Sequence, residues 1–208
     1  MAARRRADSL RRRSPSRSRK RRLLICCEGK VTEPEYFHGL VKCLRAVPVD
    51  VVRCDIKGVG CDSLKVVVES EVLWRRDRRK NGADAYDEVW CVVDRDDHNS
   101  LGAALEHARR AGISLVLSVP CFDYWLLLHF VDYRREATPT QIVRELGRHM
   151  VGYDKHLPET FPFEHYEQAE ARARARAPDH TACNVVGPNP STNVWLLVRA
   201  VRAAGFGR

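Results

Sequence analysis

Four short apolar stretches punctuate the first 120 residues, and each ends at polar or turn-forming residues. Leu23-Leu24-Ile25-Cys26-Cys27 gives way to Glu28-Gly29, and residues 49–56 are closed by Gly58 and Gly60. Residues 89–93 stop at Asp94-Arg95-Asp96-Asp97-His98, and residues 113–119 stop at Pro120. Short runs of continuous apolar residues predict strands covered on both faces, the pattern of a parallel sheet.

Helical patterns separate these strands. Thr32-Glu33-Pro34-Glu35 fits a helix start in which Thr32 caps and Glu35 completes a capping box, followed by an apolar face of Tyr36, Phe37, Leu40, Val41 and Leu44. Asp62 or Ser63 caps a second helix carrying Leu64, Val67, Val68 and Val72. Its basic last turn and Asn81-Gly82 suit a helix end. A third helix starts at Asn99 or Ser100 and runs through Leu101, Ala104, Leu105 and Ala108 to Gly112. The resulting β-α-β-α-β-α-β order predicts an α/β fold with right-handed crossovers.

Beyond Pro120 the pattern changes. Cys121 to Phe130 predicts a loop and then an almost wholly apolar helix packed across the sheet. Residues 139–150, 164–177 and 193–204 predict three further helices, the last capped by Asn189-Pro190-Ser191-Thr192. The chain therefore divides into a basic tail (1–22), an α/β domain (23–135) and a helical C-terminal extension packed on it (136–208).

Charge changes the picture only at the N-terminus. The formal net charge is +9, but residues 1–22 hold 11 Lys/Arg against Asp8 alone, which leaves 25 basic and 26 acidic residues elsewhere. The tail is Arg/Ser-rich, with too few apolar side chains to order itself. It either holds phosphates or is a solvated extension. Eight cysteines without a CxxC pair, several of them in apolar runs, suggest buried thiols in a reducing compartment. No apolar run reaches the ~18 residues of a membrane span, and the chain is read as cytoplasmic.

The candidate chemistry lies where the strands end. Asp94 and Asp96 are two residues apart, so in extended backbone both side chains leave one face. Their mutual repulsion calls for a proton or a cation, and Mg²⁺ takes carboxylate oxygens readily. A turn is the alternative for a lone DxD. Glu28 ends a separate strand on the same expected edge, so three carboxylates can converge there.

This pairing of a strand–Glu-Gly turn with a later strand–Asp-x-Asp turn resembles the TOPRIM domain of topoisomerases, primases and OLD-type nucleases. Residues 27–37 (CEGKVTEPEYF), 93–98 (VDRDDH), 120–130 (PCFDYWLLLHF) and 189–192 (NPST) are similar, more closely, to the RloB-like family, over residues 23–205. Asp123 stands where the family usually has Glu, so its carboxylate is one methylene shorter. The resemblance implies a TOPRIM-like parallel sheet flanked by helices and Mg²⁺- or Mn²⁺-dependent cleavage of phosphodiester bonds in DNA or RNA. It also implies a partner ABC/AAA-type ATPase in phage defence. Oligomeric state stays open, a homo-oligomer included.

The residue reading beside it gives Glu28, Asp94 and Asp96 as the catalytic and metal-binding set. Glu33 and Asp123 are candidate ligands of a second ion or, alternatively, a first-turn helix acid and a helix cap. Lys30 and His98 are candidate phosphate contacts. His129 is read as a core histidine. Two other functions compete: a non-catalytic adaptor that binds nucleic acid or the ATPase, and a phosphatase with Asp94 as nucleophile.

Overall fold

The computed structural model describes residues 21–46, 49–53, 62–95 and 100–205. Strands β1 (Leu23–Cys27), β2 (Val49–Arg53), β3 (Glu88–Asp94), β4 (Ser114–Val119) and β5 (Ser191–Thr192) form one sheet in the order β2-β1-β3-β4-β5. The first four are mutually parallel and β5 runs antiparallel to β4. Helices α1 (Thr32–Leu44), α2 (Ser63–Asn81) and α3 (Leu101–Ala111) make the crossovers. The chain steps from β1 outward to β2, then returns across β1 to β3. That reversal makes the β1/β3 boundary the topological switch point, where the carboxyl ends of open sheets form a crevice. The arrangement is an α/β sheet flanked by helices, consistent with a TOPRIM-like fold.

Continuous apolar strands fit because both faces are covered. Leu23, Ile25 and Cys27 of β1 enter one core, while Leu24 and Cys26 enter the other. The second core is closed by α2 and α3. The first is closed by α1 together with α4 (Asp123–Leu127), α5 (Pro139–Leu146), α6 (Tyr166–Arg176) and α7 (Trp195–Gly205). Cys26, Cys27, Cys91 and Cys121 are buried thiols of these cores, as small apolar residues would be.

Several local expectations change. α1 is not capped by Thr32: Val31 occupies the cap position without a side-chain bond, and the capping box occurs at Thr138–Gln141 of α5. α2 buries Ser63, Val66, Val67 and Ser70, leaving Val68 and Val72 exposed. The buried stripe is rotated because Ser70 satisfies its hydroxyl internally on Val66 O, at 2.6 Å, and accepts from Cys91 Sγ, at 3.2 Å. The apolar helix after Pro120 is only five residues long. Asn189-Pro190-Ser191-Thr192 is not simply a helix cap, since Ser191 and Thr192 form β5. The C-terminal extension therefore adds a strand to the sheet and half of one core. Among the described residues, no helix is long and apolar enough to cross a membrane.

Candidate active site

β1 and β3 are adjacent, and their register, Cys27 opposite Val92, brings Glu28 and Asp94 to the same carboxyl edge one residue out of step. The Glu28 N–H continues the ladder to Val92 O, at 3.0 Å. Its carboxylate turns inward, where Oε2 accepts the Asp94 N–H at 3.3 Å and the Ser63 hydroxyl at 3.3 Å. Ser63 opens α2, whose N-cap Asp62 accepts from Leu64 N–H at 3.0 Å. The positive end of that helix thus faces a carboxylate, a favourable arrangement. Glu28 is buried, and Asp94 is half-buried on the wall of an open pocket of about 280 Å³.

The same pocket is lined by Glu33 and Asp123. Glu33 folds back over Gly29, where a β-carbon would stand 1.8 Å from its Oε2. The Glu-Gly dipeptide thus leaves room for a second carboxylate. Burial pushes the Glu33 carboxyl above its usual range and the nearby Asp123 charge adds to this; the backbone N–H groups of Glu33 and Gly29 and the Lys155 ammonium oppose it. Asp123, the first residue of α4, is buried with both oxygens bonded. Oδ1 accepts from Tyr153 OH at 2.6 Å and Oδ2 from Lys155 Nζ at 2.8 Å.

Tyr153 and Lys155 are the site residues that the sequence reading missed. They belong to the link between α5 and α6, which two side chains of α1 hold in place. Thr32 Oγ1 donates to Lys155 O at 2.8 Å, and Glu35 accepts from Leu157 N–H at 2.8 Å and pairs with His156 Nδ1 at 2.7 Å. Rather than capping their own helix, Thr32 and Glu35 tether a segment more than 120 positions away. No periodicity or spacing in residues 153–157 points to this.

Lys30 lines the pocket and also a neighbouring one of about 240 Å³ with Pro34, Glu35, His38 and His156. Asp96 and His98 lie outside the described residues. His129 is buried, 3.2 Å from Tyr36 OH and 3.1 Å from Trp125 O, away from the pocket lining.

As a test for a divalent ion, the donor chemistry fits. Asp94, Glu33 and Asp123 bring hard carboxylate oxygens to the pocket lining, with Glu28 bonded behind Asp94, and Mg²⁺ is held by one or two such groups with water and phosphate completing the shell. Among the described residues no three His, Cys, Asp or Glu side chains gather closely enough to hold an ion by themselves.

No curated protein and no solved structure matches the chain. The family model described as RloB-like protein matches residues 23–201, everything from β1 into α7. The chain belongs to the RloB-like family.

Proposed function

We propose that the protein is a metal-dependent nuclease that cleaves phosphodiester bonds of DNA or RNA, working beside an ABC/AAA-type ATPase in phage defence. One observation carries this reading: Glu28 and Asp94, the acids that end β1 and β3, meet across the switch point through the 3.3 Å bond between the Glu28 carboxylate and the Asp94 N–H. Glu28 and Asp94, with Asp96, would hold a Mg²⁺ or Mn²⁺ ion. When bound, that ion supplies polarisation of the phosphate and neutralises charge on the leaving oxygen.

The chain's own residues do the rest. Ser63 and the Asp94 N–H fix the inward-turned Glu28 carboxylate, which in turn holds the strand end that carries the Asp94 side chain to the pocket. Lys30, which lines both pockets, anchors the phosphate backbone.

The test is nicking of supercoiled DNA and cleavage of structured RNA with Mg²⁺ or Mn²⁺, with and without the ATPase. Cleavage by wild type that is abolished in Asp94→Asn and Glu28→Gln is the expected result. Variants that cut as well as wild type would remove the assignment. A wild type that cuts neither substrate, alone or with the ATPase, would favour a binding adaptor.

A further inference from the structure

Lys155 stands out in the pocket wall by its backbone as well as its charge. Its φ is +81°, in the left-handed region that non-glycine residues seldom occupy. Such a conformation persists only where the surroundings impose it. Here the Thr32 hydroxyl grips the Lys155 carbonyl, and Glu35 grips Leu157 two residues on. The effect is to aim an ammonium group into a crevice of acids. Nζ lies 2.8 Å from Asp123 Oδ2, a charge-assisted bond to a carboxylate that is itself buried. Burial works against the ammonium, yet the Asp123 carboxylate, with Cys121 and Asp94 adding, lifts its pKa above the usual lysine value. The same ammonium also acts on Glu33.

Among the described residues three acids line this pocket, Asp94, Glu33 and Asp123, with Glu28 bonded behind Asp94. Glu28 and Asp94 form the pair at the strand ends. Glu33 and Asp123 face the lysine, and the second oxygen of Asp123 is taken by Tyr153.

Resting on the nuclease reading, we propose that Lys155 is the built-in second cation of this site. It neutralises Asp123, beside Glu33, in place of a second ion, so the site takes one divalent ion and presents a fixed ammonium to the phosphate. Two-metal phosphodiesterases neutralise the attacking and leaving oxygens with ions about 4 Å apart; a lysine supplies one of those charges without requiring a metal.

Metal stoichiometry tests this without relying on cleavage. Mn²⁺ binding to the full chain is counted by electron paramagnetic resonance and by calorimetry. The expected count is one ion for wild type and two for Lys155→Met, in which the freed carboxylates take a second, weaker ion. Adding Asp123→Asn to Lys155→Met should return the count to one. Two ions in wild type would overturn the proposal while leaving the metal-nuclease reading intact, and this outcome needs no variant to fold. No ion in wild type would overturn both. A count of one in a folded Lys155→Met chain, or a second ion that survives Asp123→Asn, would overturn the lysine's role alone.

Discussion

The Glu33 carboxylate rests on the α-carbon of Gly29, so close that any β-carbon there would stand 1.8 Å from Oε2. Gly29 is therefore required by its neighbour's seat, with no positive φ involved. The obstructing atom is the far end of a flexible side chain, so Gly29→Ala should expel Glu33 from the pocket wall without unfolding the protein. The consequence is non-additivity. Glu33→Ala alone should cost stability through its lost backbone bonds, but in the Gly29→Ala background it should cost almost nothing more. Thermal unfolding of the four proteins should give a coupling of about 1 kcal/mol, within the range for residues in contact. Additive costs would mean that Glu33 keeps its seat even beside the introduced methyl group.

How much of this was legible in sequence follows from the reach of each signal. β1 and β3 could be placed from their continuous apolar runs, because two covered faces leave no other pattern. Glu28 and Asp94 could be brought together because parallel strands deliver their ends to one edge. The roles of Thr32 and Glu35 could not, since a capping box is a local pattern and their partners lie on a distant link. The buried stripe of α2 escapes periodicity for a similar reason: Ser70 is a polar residue, yet its hydroxyl is satisfied within the core. β5, two residues long, is shorter than any periodicity can register.

The Thr32 and Glu35 tether should be measurable as local protection. Glu35→Ala removes the acceptor of Leu157 N–H and the partner of His156. A hydrogen bond of about 1 kcal/mol corresponds to roughly fivefold in a local opening equilibrium. Amide exchange across residues 153–157 should accelerate by about that factor, while β1 and β3 stay protected. The tether should also respond to pH. The Glu35 carboxylate raises the His156 pKa above 6.5. The ion pair is therefore fully formed below pH 6.5 and is lost as pH climbs through the raised value. An NMR titration should show His156 returning toward 6.5 in Glu35→Gln; an unchanged midpoint would mean that the pair does not form in solution.

Asn193 fastens the C-terminal extension to the sheet edge. Its Oδ1 accepts the Leu117 N–H of β4 at 2.7 Å and its Nδ2 donates to Ala182 O at 2.8 Å, with the residue fully buried. Removing the amide strands a strand donor in the core, a cost of about 1–3 kcal/mol for each buried group left without a partner. Asn193→Ala should lower the urea midpoint by the equivalent of about 3 kcal/mol with the m-value unchanged. A drop below about 0.5 kcal/mol would show that water or a shifted backbone replaces both bonds.

His129 should set the acid limit of stability. It packs edge-on against Tyr36 and Trp125, and burial drives its pKa from 6.5 down to about 3. A group whose folded pKa is depressed in this way is neutral in the native protein while the unfolded chain takes up a proton. Stability is therefore fully present above pH 6.5 and falls as the pH drops from 6.5 toward 3. The slope approaches ~1.4 kcal/mol per pH unit for one proton. Carboxylates contribute acid sensitivity of their own, so the comparison that isolates His129 is with His129→Gln, which keeps a polar side chain beside Tyr36 but cannot titrate. That variant starts less stable at neutral pH, since its amide fits the ring-shaped space poorly. Between about pH 6.5 and about pH 4.5 its stability should nonetheless decline more gently than wild type, by up to about one proton's worth of slope. Parallel curves would mean that His129 is already neutral in the unfolded chain at these pH values or becomes charged in the folded one, and would place the acid sensitivity on the carboxylates instead.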